Sequence, residues 1–218
     1  MEGLVTPISN IMIDPSGERT IVTYRDPKMW MVKLPPPEKL LVDCDAILTE
    51  NRCAEFVTDV CAEAHRRGIP VVIDADRLMS LREGLLQVSS HIIFSAEALQ
   101  ATAGESDHVA SLRKIAELTS AFLGVTFGAK GVTWLDERGE PRHMPAFPVH
   151  TVDTLGAGDA FHGAFALAVA EGQPLEQALR FASATAALKC TRFGGAFASP
   201  QRIEVDALLA SSTVALTV

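Results

Sequence analysis

The sequence predicts an α/β fold in three layers, a mainly parallel sheet with helices on both of its faces. Three observations carry this. Short apolar runs at 46–49, 70–76, 91–94 and 122–127 are too hydrophobic to face water on either side, as central parallel strands are. Segments of helical periodicity at 51–67, 95–103 and 106–119 separate those runs. Strand and helix therefore alternate, the pattern of parallel strands joined by crossover helices. With 218 residues, 48% of them apolar and 21% charged, the chain is expected to form a single folded domain over 1–218 rather than a disordered one.

Each element has a local reason. Residues 4–13 are β-branched and alternating, Asp14-Pro15-Ser16-Gly17 supplies turn chemistry, and 19–24 reads as the returning strand, so 4–24 is a hairpin. Pro35-Pro36-Pro37 breaks the chain before a short helical patch. The strand AILT (46–49) leads into a helix over 51–67 that stops at Gly68, and PVVIDAD (70–76) follows as a buried strand. HIIF (91–94) repeats the pattern before the helices at 95–103 and 106–119. FLGVTF (122–127) is another buried strand, and 131–135 with 141–151 suggest a second hairpin. The chain closes with helices at 157–171, at 174–190 behind Pro174, and at 203–210. No internal repeat and no linker divides it.

Composition excludes several roles. The net charge of −8 and the lack of any Lys/Arg cluster interleaved with aromatics leave no basic face to displace counterions, so no nucleic-acid partner is expected. The opening MEGLVTPISN has no basic segment before an apolar core, and no apolar run approaches ~18 residues, so neither a signal peptide nor a membrane span is read. Cys44, Cys53, Cys61 and Cys190 form no C-x-x-C pair, and the six histidines lack zinc-ligand spacing. A reduced, cytoplasmic protein is expected.

Ligands of such sheets bind beyond the carboxyl ends of the strands. The strongest signal there is Asp153-Thr154-Leu155-Gly156-Ala157-Gly158-Asp159, directly before an apolar helix. Glycines at a helix start let unpartnered N–H groups approach a ligand, and the helix dipole favours an anion such as a phosphate. Asp159 sits in the first turn, where the helix dipole favours a carboxylate, and is suited to take a proton from a hydroxyl. The same residues also make an ordinary helix start. A second signal is Thr126-Phe127-Gly128-Ala129-Lys130-Gly131, where Thr126 and Gly128 are placed to line a nucleotide and Lys130 to meet a phosphate; alone it reads as a glycine hairpin. A third is Thr191-Arg192-Phe193-Gly194-Gly195, alone a helix C-cap.

Together, in this order, these motifs resemble the ribokinase-like (PfkB) carbohydrate kinase family. D-T-x-G-A-G-D matches at 153–159, T-x-G-x-x-G at 126–131 and T-R-x-G at 191–194, with the stretch FHGAFALAVAEG…RFASATAALKCTRFGG closest to its sulfofructose kinase and ketohexokinase-like branch. The resemblance implies a ribokinase-like fold and an ATP-dependent transfer of the γ-phosphoryl group to a primary hydroxyl of a small sugar, such as sulfofructose or another ketose. Asp159 would be the base, and Gly156, Ala157 and Gly158 the anion hole. Thr126, Gly128 and Gly131 would hold ATP, with Ser183 near the adenine and Ser95 at the nucleotide side. Asp153 and the 189–198 loop would correspond to a monovalent-cation (K⁺) site. Where the family carries N-x-x-E to organise Mg²⁺, this chain reads Ser95-Ala96-Glu97-Ala98, which makes Glu97, with Asp74 and Asp76, the magnesium candidates.

The family also opens with a βαβ segment before its lid hairpin, and this chain starts within that hairpin. A half-built sugar site and an unpaired sheet edge that favours association, as a homodimer, are therefore expected. Arg52 follows AILT where a sugar should lie, and its planar fork suits a sulfonate or phosphate; the other reading is a surface arginine at a helix start. Thr23 is a further substrate candidate. His162, three residues after Asp159, reads as a packed helix residue. Two other readings compete: a non-catalytic nucleotide-binding fragment or pseudokinase, and a nucleoside kinase of the same fold.

Overall fold

A computed structural model describes residues 3–14, 19–81 and 84–212. Its contacts divide the chain into two compact units, one ending at Pro36 and one running from Pro37.

The first unit is built on the expected hairpin. Strand β1 (Ile8–Ile13) pairs antiparallel with β2 (Arg19–Tyr24), Ile11 opposite Ile21. The proposed turn at 15–17 lies outside the described residues. β1 starts after Pro7, later than expected at residue 4, because proline has no N–H to offer a ladder. A 3₁₀ turn at Pro27–Met31, missed in the sequence, is capped by the buried Asp26. Its carboxylate accepts from the N–H groups of Lys28 (2.9 Å) and Val5 (3.1 Å), which hold it below the usual carboxylate range.

The second unit is the α/β body. In chain order it comprises α1 (Pro37–Leu40), β3 (Ile47–Glu50), α2 (Ala54–Arg66), β4 (Val71–Ala75), α3 (Gly84–Val88), β5 (His91–Ser95), α4 (Ala96–Ala103) and α5 (His108–Ala116). β6 (Phe122–Thr126), β7 (Val132–Leu135), β8 (Pro141–Met144), α6 (Ala157–Ala170), α7 (Leu175–Cys190) and α8 (Arg202–Ser211) complete it. One six-stranded sheet has the order β3-β4-β5-β6-β7-β8. β3 to β6 are parallel and β7 and β8 antiparallel, so the sheet is mainly parallel as expected.

The two faces follow from strand alternation. Val71, Ile73 and Ala75 of β4 and Ile92 and Phe94 of β5 point into one core with Cys61, Ala64, Leu99, Leu112 and Ile115 of α2, α4 and α5. Val72 and Ile93, one residue out of step, enter a second core with Phe161 and Phe165 of α6 and Leu179 and Ala182 of α7. Asp74, two residues after Val72, therefore falls on the face covered by α6. Burial pushes the thiol of Cys61 up to about 11, which leaves it unreactive near neutral pH.

Several boundaries are corrected. The strand expected over 141–151 ends at Met144, since Pro145 and Pro148 cannot donate to a ladder. The helix expected from 51 opens with a 3₁₀ turn at Asn51–Cys53 before α2. α5 begins at His108 because Asp107 caps it, accepting from Ala110 N at 2.7 Å. α3 was not foreseen. β3 has a neighbour on one side only among the described residues.

Candidate active site

The carboxyl ends of β3, β4, β5 and β6 and the first turn of α6 come together. Gly156 is the N-cap of α6 and has φ 77°, a left-handed conformation that glycine adopts without cost. The turn it makes brings Asp159 back: a β-carbon built on Gly156 would lie 3.6 Å from Asp159 Oδ2. Asp159 itself is exposed, in the first turn. The N–H groups of Gly158 and Asp159 have no carbonyl one turn back within the helix, and Ala160 N makes the first such bond, to Gly156 O at 2.9 Å. An acceptor carboxylate and a pair of free donors thus share one helix end, where the dipole is positive. A groove of about 410 Å³ runs from Gly156 and Asp159 along α6 to Leu167, faced by Phe181 and Thr185 of α7 and by Ala196 and Ser199.

Two buried residues fix this end in place. His162 Nδ1 lies 2.8 Å from Gly158 O and 3.5 Å from Asp74 Oδ2, so that nitrogen carries a hydrogen. Its Nε2 lies 3.4 Å from Ile93 O. The ring therefore ties the first turn of α6 to β4 and β5, a packed positioning role as expected. Asp74 is mostly buried, and burial raises its carboxyl above the ordinary range. His162 opposes that rise, the charges of Asp159 and Glu50 add to it, and Arg52 opposes it.

The second is Lys189, near the end of α7, fully buried at 0% exposure. Its Nζ donates to Asp153 O (3.0 Å) and lies 3.1 Å from Asp153 Oδ2. Asp153 also accepts from Leu155 N (2.8 Å) and Gly194 N (3.3 Å). The Leu155 N–H chiefly, with Lys189 and Gly194, holds its carboxyl down at about 2 against the opposing effect of burial. Asp153 was expected to serve a monovalent cation. In this structure its carbonyl and carboxylate oxygens accept from the Lys189 ammonium.

The nucleotide candidates fall on β6, the turn after it, α4 and α7. Thr126 ends β6 beside Ser95, its Oγ1 donating to Phe94 O at 3.3 Å. Gly128 and Lys130 form an exposed 3₁₀ turn, closed by Phe127 N donating to Gly131 O at 2.8 Å. Ser95 is the N-cap of α4, accepting from Ala98 N at 3.1 Å, so its acceptor capacity is partly spent on the helix. Glu97 is exposed in the first turn of α4. Ser183 is buried in α7 and does not line the groove beside Asp159.

Arg52 stands at the end of β3 as expected, but it is not free for an anion. Its Nε is 3.1 Å from Glu50 Oε2 and donates to Asp76 Oδ1 at 3.1 Å, and a second ion pair joins its Nη2 to Asp76. Asp76, a magnesium candidate, is thereby engaged by a guanidinium. Thr23 belongs to the first unit, where its hydroxyl bonds that of Ser9 at 2.9 Å. Sequence reasoning missed the contacts His162 makes with Asp74 and Ile93, and it missed Lys189. A lysine inside the apolar run AALKC was the available signal for the second.

The model of the pfkB family of carbohydrate kinases matches residues 3–202. The chain belongs to this family. Ribokinase of Bacillus subtilis is 33% identical over 173 residues, 76% of this chain and 55% of that protein. Fructokinase of Solanum tuberosum is 26% identical over 224 residues, 95% of this chain and 70% of that protein. A solved structure from Agrobacterium tumefaciens, provisionally described as a ribokinase, superposes with a TM-score of 0.86 at 36% identity, covering 95% of this chain and 69% of that one. Arabidopsis thaliana ribokinase, solved with ribose and ATP, shares the fold (TM-score 0.82, 24% identity, 94% and 69% covered). The chain thus spans about half the length of the Bacillus relative. No described helix is long and apolar enough to cross a membrane.

Proposed function

We propose that this chain carries the phosphate-handling part of an ATP-dependent sugar kinase, with Asp159 as the base. The observation that carries the reading is the turn at Gly156, which sets the Asp159 carboxylate beside the first N–H groups of α6. Asp159 takes the proton of a primary hydroxyl, whose oxygen then bonds to the γ-phosphorus as the bond from that phosphorus to the β-phosphate oxygen breaks. Sugar phosphate, ADP and a proton are the products. The N–H groups of Gly158 and Asp159 hold the charge on the transferred group, at the positive end of the helix. Positioning and electrostatics supply most of the catalysis. Ala157 and the turn at Gly156 complete this anion hole.

Thr126, Gly128, Lys130 and Gly131 would line the nucleotide, with Ser95 and Ser183 as further contacts. Among the described residues no cluster of three or more His, Cys, Asp or Glu side chains is arranged to hold a metal. That donor set suits Mg²⁺ arriving with the nucleotide, since this ion keeps its waters and takes one or two carboxylates plus phosphates. Asp74 and Glu97 would hold it, and it would neutralise charge on the phosphates.

The acceptor is read as a neutral sugar. The charges of Asp159 and Glu50 both act on Asp74, and the nearby Arg52 guanidinium is already paired. A sulfonate or phosphate brought there would meet unbalanced negative charge, so the charged ketose suggested by the motif's branch is less suited than ribose or fructose. Ribokinase and fructokinase relatives support the same class. Exposed Ile8, Met12, Ile21, Val22 and Tyr24 on the hairpin support the expected homodimer.

The test is ADP release by the full natural protein containing this chain, with ribose, fructose, sulfofructose and adenosine as acceptors. Sugar-dependent release is expected, with kcat/KM for a neutral sugar at least about tenfold above the sulfonated one, roughly 1.4 kcal/mol of discrimination. Release that ignores the sugar, or that adenosine alone elicits, would overturn the reading.

A further inference from the structure

We propose that the ammonium of Lys189 is the permanent cation of the phosphate loop, a positioning residue that stands in for a free monovalent ion. The proposal rests on the kinase reading, because its purpose is to hold the turn that ends in Asp159.

Lysine is almost never fully buried unless paired, and taking an ammonium out of water is expensive. At 0% exposure, Lys189 needs compensation, and it comes from one residue: the carbonyl and the carboxylate of Asp153, at 3.0 and 3.1 Å. That carboxylate also gathers the N–H groups of Leu155 and Gly194. The backbone adds two bonds at the same place, from Val152 N and Asp153 N to Cys190 O at 2.8 and 3.1 Å. Three segments therefore meet at the ammonium: the end of α7, the loop at Gly194, and the turn whose next residues are the anion hole. Gly156 itself faces Gly195, whose carbonyl carbon lies 3.9 Å from the position of a Gly156 β-carbon. A displaced Asp153 would shift both walls of that turn.

An ammonium and a potassium ion carry the same charge, are similar in size and take carbonyl and carboxylate oxygens. The two cannot share the oxygens of Asp153, because they repel and the oxygens are committed. A tethered cation has a further consequence: it cannot be diluted away, so the turn stays ordered whatever salt is present.

The experiment uses the full natural protein as wild type, Lys189→Ala and Lys189→Met. Thermal unfolding and sugar-dependent ADP release are each measured in KCl, in NH₄Cl and in tetramethylammonium chloride at equal ionic strength. Wild type is expected to show the same Tm and the same kcat in all three. In tetramethylammonium, Lys189→Ala is expected to lose about tenfold to a hundredfold in kcat, as for the loss of charge-assisted bonds, with the sugar KM little changed. KCl or NH₄Cl should restore much of the lost kcat and raise the Tm of Lys189→Ala, whereas Lys189→Met, whose side chain fills the space, should recover less. Wild type whose Tm or kcat rises specifically with K⁺ overturns the proposal. So does a Lys189→Ala protein that responds to neither ion, folded or not. If no sugar is phosphorylated by wild type, the kinase reading fails, and the salt dependence of Tm alone still decides the role of Lys189.

Discussion

The carbonyl oxygen of Met144 stands only 2.0 Å from where a β-carbon on Gly131 would lie, and Ala146 N and Pro145 C are each 2.8 Å from it. The backbone at Gly131 also has φ 99°. The end of β8 is thus laid directly against the turn at 128–131, and only a residue without a side chain permits it.

Gly131→Ala should therefore cost stability well beyond the ordinary price of a left-handed alanine, about 3 kcal/mol or more from combined strain and displacement. Gly128→Ala, with φ 56° and open space around it, should cost about 1–2 kcal/mol. Urea unfolding midpoints of the two variants compare them. Equal losses would show that the contact with β8 yields easily.

Much of the fold was legible because its determinants are local. VVIDA, HIIFS and FLGVT are buried on both faces and read as central parallel strands without any tertiary information. α3 was not legible: in GLLQV the consecutive Leu85 and Leu86 are both buried, which erases the helical period. The strand expected to reach 151 ends at Met144, because Pro145 and Pro148 cannot donate to a ladder. At the site, the motif 153–159 pointed to Asp159 and the helix end because one continuous segment makes both. What the sequence hid was pairing at a distance. The sequence does not show that the fold brings Asp76, just past the end of β4, to Arg52, nor that Lys189 reaches an aspartate 36 positions away.

Arg52 yields a prediction from that pairing. Since its guanidinium is spent on Glu50 and Asp76, Arg52→Ala should change the ratio of KM for sulfonated and neutral acceptors by less than about threefold, and stability by about 1 kcal/mol at most. Steady-state kinetics on both acceptors measures it. A tenfold or greater loss confined to the charged acceptor would return Arg52 to the substrate.

His91 sets part of the acid stability. Burial pulls it from 6.5 down to about 4, and its ring packs against Phe122 and Phe165. Between these values the unfolded chain binds a proton that the folded one does not, so stability is full above about pH 6.5 and falls as pH drops toward 4. The loss should reach about 2–3 kcal/mol. His91→Gln does not titrate and should lack this slope when denaturation is measured at successive pH values; an unchanged slope would assign the acid lability to other groups.

Asp159→Asn, with the shape kept and the base removed, tests the central claim most directly. Turnover by ADP release and ATP affinity by calorimetry are compared with wild type in the full natural protein. Sugar-dependent turnover should fall by roughly two to four orders of magnitude while the Kd for ATP stays within about threefold. Turnover that survives, or ATP affinity that falls in proportion, would contradict Asp159 as the proton acceptor and leave it as part of the helix start.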